Sequence, residues 1–170
     1  VSYLPSDNNW RWTDYEQHRS QLERLRARVA ASARFGVFQV ERDQAERFAG
    51  EIRYMKRIDP TLGLYAAYAY SDAGLREQVR SVRSYMRDDL QVELFDAAML
   101  ANVLSATSHP PQTVPFCPML SQGWGLLRVK GVHLPPALAP LADRRRAALW
   151  TTFEPAGMDL IEQALPAGVL

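Results

Sequence analysis

Residues 65–86 read YAAYAYSDAGLREQVRSVRSYM. The stretch opens on small and aromatic residues alone, with no charge before Asp72. A segment so apolar on every side belongs at the buried centre of a domain. SDAG follows as a turn ending in Gly74, and from Leu75 the pattern changes. Leu75, Val79, Val82 and Tyr85 or Met86 recur at steps of three and four among charged residues, which predicts an amphipathic helix returning along the first. Ala and Gly let the two helices approach while Tyr fills the groove between them. The fold class this predicts is all-α.

The flanking sequence supports that reading. Thr13-Asp-Tyr-Glu16 has the spacing of a capping box. Tyr15, His18, Leu22, Leu25 and Val29 then place one apolar stripe on a helix ending near Arg34. Phe35-Gly-Val-Phe38 interrupts it, and a second helix over about 40–58 turns Ala45, Phe48, Ile52 and Met55 inward. Asp59-Pro60 combines an N-cap residue with a proline tolerated at the first helical position, opening a helix over 61–70. A further helix is predicted over 92–105, using Leu94, Phe95, Ala98, Met99 and Val103.

The C-terminal half is more broken. The proline-rich loop SATSHPPQTVP (105–115) is the segment expected to move. PFCPMLSQGWGLLR (115–128) reads as a buried helix start, with Gly123 and Gly125 allowing close approach and Trp124 filling the gap. GVHLPP punctuates before helices over about 136–150 and 155–165. The organisation expected is one domain over 1–170: an irregular lead-in (1–12), helical hairpins (13–106), a proline-rich loop (107–117) and C-terminal helices (118–170), about seven helices in antiparallel hairpins.

Composition narrows the chemistry. Twenty basic residues stand against nineteen acidic ones for a net charge of +1, so no long-range field draws in nucleic acid or an anionic membrane. Lys56 and Lys130 are the only lysines, the rest of the cations being arginine. No apolar run approaches the ~18 residues of a membrane span, and VSYLPSDNNWRW lacks the basic and apolar regions of a signal peptide. The chain begins at Val1 rather than Met, as expected of a domain or processed fragment of a longer protein. A single cysteine, Cys117, excludes an internal disulfide and a cysteine-based zinc site, and suggests a reducing, cytoplasmic setting.

Candidate chemistry is sparse. Cys117 with His109 or His133 is the one conceivable nucleophile–base pair, since Cys117 sits before an expected helix. Its neighbours Phe116, Pro118, Met119 and Leu120 argue instead for a buried thiol acting as a small hydrophobe. Ser121 in SQGWG lacks the G-x-S-x-G order of a nucleophile elbow. His18, His109 and His133 are too scattered to hold a metal, and no glycine pattern cradles phosphate, so neither metal nor cofactor is expected. Asp72 and Asp88-Asp89 read as caps and solvated ends. The rows Arg24, Arg26, Arg28 and Arg144-Arg-Arg146 read as solvated faces interleaved with acids.

Two resemblances add to this. The 65–86 hairpin resembles a single tetratricopeptide-type unit, without a 34-residue repeat elsewhere. Across 59–165, the order DPTLGLYAAYAY, LFDAAMLAN, PFCPMLSQGWGLLR and LWTTFEPAGMDLIEQAL resembles the helical C-terminal region of some bacterial multidomain proteins, whose N-terminal parts are caspase-like, patatin-like or trypsin-like hydrolases. That resemblance implies an accessory module that positions, oligomerises or autoinhibits an attached effector, and carries over no catalytic residue. The function expected is a non-catalytic protein-interaction or regulatory module. Its partner would be another protein, another domain of the parent chain or a second copy. The binding surface expected is the groove beside the hairpin (Tyr65, Tyr68, Arg76, Arg80, Arg83) together with exposed Trp10, Trp12 and Trp124. The alternative is a small cysteine-dependent hydrolase using Cys117.

Overall fold

The structure, a computed structural model, describes residues 2–34, 37–38, 42–104 and 113–165. Among them the chain is all-α: seven α-helices and one 3₁₀ helix against four strands of two residues each. It divides into two compact units, one of Val1–Arg34 and Phe38–Gln91, the other of Phe35–Val37 and Val92–Leu170. The main division falls between Gln91 and Val92, where the sequence reading has one domain over 1–170. The expected motion of the proline-rich loop lies outside the described residues over 105–112.

In the first unit, α1 (Trp12–Ser32) buries Tyr15, Leu22, Leu25 and Val29, while His18 stays half-exposed. The predicted capping box does not form. Asn9 opens the helix instead, its side chain accepting from the Arg11 amide at 2.9 Å and its carbonyl from the Trp12 amide at 2.9 Å. Thr13 is thereby drawn into the first turn, and Glu16 pairs with Arg19 at 2.6 Å. After short strands β1 (Ala33–Arg34) and β2 (Val37–Phe38), α2 (Arg42–Met55) buries Ala45, Phe48, Ala49, Ile52 and Met55.

Helix α3 (Pro60–Asp72) begins as the sequence predicts. Asp59 accepts from the Thr61 amide at 2.9 Å and hydroxyl at 2.6 Å, with Pro60 in the first turn. Its run Leu62–Ala69 is buried throughout, making it the centre of the unit. It closes in a Schellman motif: Leu75 donates to the Tyr70 carbonyl (2.8 Å) and Gly74 to Ser71 (3.0 Å), Gly74 standing at φ +76°. So short a connection returns the chain as α4 (Arg76–Leu90), which buries Val79, Val82 and Met86. The Met86 thioether lies where a side chain on Gly63 would begin, 2.6 Å from that position, so α3 and α4 meet on bare backbone.

The second unit is less regular. Strand β3 (Glu93–Leu94) pairs in parallel with β4 (Thr113–Val114), Glu93 opposite Thr113 and Leu94 opposite Val114. Between them α5 (Phe95–Leu100) is wholly buried but has only six residues, shorter than the predicted 92–105. Asn102 takes the left-handed conformation at φ 57°, Val103 donates back to Ala98 and Asn102 to Met99, and the helix stops. Lys130 caps the same end through the Leu100 carbonyl (3.4 Å) and Asn102 Oδ1 (3.0 Å).

PFCPMLSQGWGLLR is buried at Cys117, Pro118, Leu120, Gly123 and Trp124, but it is not a helix start at Cys117. Residues 119–121 instead run alongside 149–151, Thr151 donating to the Met119 carbonyl (2.7 Å) and Ser121 to Leu149 (3.0 Å). The helix α6 (Gly123–Leu126) begins only afterwards. Gly125 faces open space, so it does not serve the close approach expected of it. The predicted helix over 136–150 is a 3₁₀ helix of Pro136–Arg144. Pro140 inside it has no amide to donate and would strike a carbonyl four residues back in an α-helix. The three-residue repeat aligns Leu138 and Leu141, both fully buried, on one side. Helix α7 (Pro155–Ala164) packs on it as predicted and completes a core with Cys117, Trp124 and Ala164.

Candidate functional site

One concave site of the first unit lies over α3. Ala66 and Tyr70 form its floor, Ala49, Ile52 and Lys56 of α2 and its end form one wall, and Gln78, Ser81 and Val82 of α4 form the other. Each wall follows from helical spacing, its residues recurring at three or four positions. The small side chains Ala49, Ala66 and Ser81 hollow out a groove of about 230 Å³. Its chemistry is mixed: Ile52 and Val82 contribute aliphatic carbon, and Tyr70, Ser81, Gln78 and Lys56 contribute hydroxyl, amide and ammonium groups.

Lys56 closes one end, its Nζ 4.2 Å from the centre of the Tyr85 ring. Beyond it, Trp10 is exposed at 53% and carries two guanidinium groups, that of Arg11 4.4 Å and that of Arg57 5.0 Å from its ring centre. Arg11 is itself buried, bonding the Arg57 carbonyl (2.9 Å) and Asp89 (2.6 Å). Burial raises the Tyr85 hydroxyl pKa above its ordinary range, helped by Asp89 and opposed by Arg57 and Arg11.

The predicted binding residues divide sharply. Trp10 is on the surface as expected, and Trp12 is half-buried against Tyr15, ring centres 6.1 Å apart. Tyr65 and Tyr68 lie in the core of the first unit and present no surface. Trp124 is equally buried, donating from Nε1 to Thr151 Oγ1 (2.9 Å) with Phe153 edge-on at 5.9 Å. Arg76 and Arg80 are exposed and Arg83 half-exposed. At 3.6 residues per turn, however, all three fall on the side of α4 away from Gln78, Ser81 and Val82. They do not rim the groove.

Of the other arginines read as solvated faces, Arg24, Arg28, Arg144 and Arg146 are exposed, while Arg26 and Arg145 are half-buried and structural. Arg26 bonds Asp59 Oδ2 at 2.9 Å through Nε and the Tyr3 carbonyl at 2.6 Å, tying the lead-in to the cap of α3. Arg28 pairs with Glu51. Arg145 lies over the Trp124 ring at 4.9 Å, bonds the carbonyls of Ala142 and Ser121, and has its pKa lowered chiefly by burial. Asp89, read as a solvated end, is the half-buried partner of Arg11, whereas Asp88 is exposed beside Arg87.

Cys117 is buried, and burial together with the Asp96 carboxylate pushes its thiol up to about 12. Asp96 is fully enclosed and accepts from the Met119 (2.7 Å) and Leu120 (3.2 Å) amides, so it anchors the loop around the thiol. Both influences raise the thiol's pKa, the opposite of what a nucleophilic cysteine requires. His133 is exposed, and His109 lies outside the described residues. Among the described residues no group of His, Cys, Asp and Glu could hold a metal ion, and no helix is long and apolar enough to cross a membrane.

Comparison with family models, curated proteins and solved structures finds no match to this chain. Its site must therefore be read from its own geometry. Sequence reasoning overlooked Lys56, Tyr70, Gln78 and Ser81, because it sorted each helix into a buried stripe and a solvated face. The groove joins buried stripe residues, Ala49, Ile52, Ala66 and Val82, to the less buried Lys56, Tyr70, Gln78 and Ser81 beside them. The one available signal was Lys56, one of two lysines in a chain that otherwise uses arginine.

Proposed function

We propose that this chain is a protein-interaction module without chemistry of its own, and that its working surface is the groove between α2 and α4 over α3. The observation that carries the reading is the groove itself: small residues on three helices leave a channel over α3 with hydroxyl, amide and ammonium groups along it. Grooves of this kind accept an apolar face of a partner segment, with the rim fixing its orientation. The exposed Trp10 near its Lys56 end supplies the type of side chain that dominates binding energy at interfaces.

The resemblance of residues 59–165 to accessory regions of bacterial hydrolases fits a partner within the same parent protein, which the module would position, oligomerise or hold inactive. A cytoplasmic setting agrees with the reduced Cys117. The cysteine-hydrolase alternative is the weaker one, because a thiol with a pKa of about 12 is almost wholly protonated at neutral pH.

The test is the mass of the purified chain in solution by light scattering, alone and mixed with the rest of its parent protein. The expected result is a complex or dimer that Ser81→Arg abolishes. Complexes indifferent to Ser81→Arg, or none in any mixture, contradict the reading.

A further inference from the structure

Resting on the interaction reading above, we propose that residues 2–11 form a strap that holds the groove narrow, and that drawing the strap aside admits the partner. The groove is closed over its apolar lining: Ala49, Ile52, Ala66 and Val82 are each 5% exposed or less. Its volume of about 230 Å³ falls below the ~300 Å³ at which sites for small molecules begin. An apolar face of a partner therefore enters only when α2 and α4 part. Each of these helices packs on α3, and side chains that cross from one wall to the other resist the parting.

Arg11 makes such a crossing. Its Nε donates to the Arg57 carbonyl just beyond α2 at 2.9 Å, and its Nη2 donates to Asp89 Oδ2 on α4 at 2.6 Å. The pair is largely enclosed, 8% exposed at Arg11 and 17% at Asp89, so salt screens it little. Lys56 makes a second crossing, its Nζ over the Tyr85 ring. The Arg11 clip moves with the lead-in. Asn9 Oδ1 accepts from the Arg11 amide at 2.9 Å, and the Asn9 carbonyl accepts from the Trp12 amide. Drawing the lead-in away undoes this cap and withdraws the guanidinium from both walls.

The rest of the strap is lightly held. Of residues 2–10 only Pro5 is buried, and Leu4 and Trp10 stand 63% and 53% exposed. Its far end is tethered by Arg26, which donates to the Tyr3 carbonyl at 2.6 Å and to the Asp59 cap of α3 at 2.9 Å. Segments with so little buried apolar surface open at the lowest cost in free energy. A pull on the lead-in is thus passed through Arg11 to the groove.

The experiment places a thiol in the groove wall of the full chain as Val82→Cys, with Cys117→Ala removing the native one, and follows its labelling by a maleimide. Val29→Cys is the control: it is also buried, and it lies about 27 Å along α1 from Arg11 at ~1.5 Å per residue. Arg11→Gln breaks the clip, and Asp89→Asn breaks it from α4 if Arg11→Gln alters the circular dichroism. Labelling of Val82→Cys should quicken at least about tenfold with the clip broken, and by a smaller factor with Asn9→Ala, while Val29→Cys is unchanged. The rest of the parent protein should bind the clip variant at least about tenfold tighter, because a closed groove lowers apparent affinity by the fraction that is open. No acceleration at Val82→Cys, or equal acceleration at both thiols, overturns this inference and leaves the interaction reading standing. A complex that forms equally well with and without the clip does the same. No complex with either chain overturns both.

Discussion

Residues 12–91 and residues 92–165 bury their cores by different means. In the first stretch helices of 13 to 21 residues pack apolar stripes, and polar groups enter at a few crossing points such as Asp59 and Arg11. In the second the helices are short, and the backbone is held by side chains that reach across it: Asp96 to residues 119 and 120, Lys130 to residues 100 and 102, Thr151 to residue 118, Arg145 to residue 121. Periodic burial makes a scaffold with room for a groove on its surface. Side-chain-to-backbone bonding makes a dense knot in which the chemically suggestive residues, Cys117 and Trp124, are used up by packing.

Asp59 is where that contrast is easiest to break. Asp59→Ala removes the cap of α3 and strands a half-buried Arg26, and should cost about 3–5 kcal/mol in urea denaturation. Asp59→Asn keeps the cap and should recover about 1 kcal/mol of that loss. The counterpart in the second unit is Asp96→Ala, which leaves two enclosed amides without an acceptor and should cost about 2–3 kcal/mol. If Asp96→Ala proved as harmless as a surface change, the account of the second unit as held by such anchors would fail.

Glycines sharpen the comparison at a smaller scale. Gly63→Ala drives a methyl into the Met86 thioether and should cost about 1–3 kcal/mol, less when Met86→Ala is added. Gly125→Ala meets nothing and, sitting in a helix, should be neutral or stabilising by up to about 1 kcal/mol. Equal costs at the two sites would contradict the packing described.

Ionisation of Cys117 has no effect at neutral pH and gives a pH signature above it. Its thiol pKa is raised to about 12 in the folded protein from an ordinary value near 9.0, so the native state holds the proton that the unfolded chain releases first. The associated stability is complete below about pH 9 and is lost as pH rises toward 12. Wild type should therefore lose more stability across that window than Cys117→Ala. Alkylation of the native thiol near neutral pH should be far slower than in urea.

These contrasts follow how legible each region was. The stripes of α1, α2 and α4, the all-apolar α3 and the Asp59-Pro60 opening were readable because burial there repeats with the helical period. Asn102, Pro140 and the bonding of Asp96 escaped the same reading. Asn102 ends α5 through one left-handed residue, and Pro140 converts an α-helical period into a 3₁₀ one, although both residues were visible signals. Asp96 reaches a partner more than twenty residues away, which no local pattern encodes. The groove was half-legible for the same reason: one does lie beside the 65–86 hairpin. Tyr65, Tyr68 and Trp124 were taken for surface because aromatic residues suit cores and interfaces alike.

The central claim is that the α2–α3–α4 groove, and not the surroundings of Cys117, is where a partner docks. Amide NMR of the full chain, titrated with the rest of its parent protein, tests it directly. The account predicts shift changes concentrated at Ala49, Ile52, Ala66, Tyr70, Ser81 and Val82 and at the Trp10 indole. Changes centred on residues 115–128, with those groove amides unmoved, would contradict it.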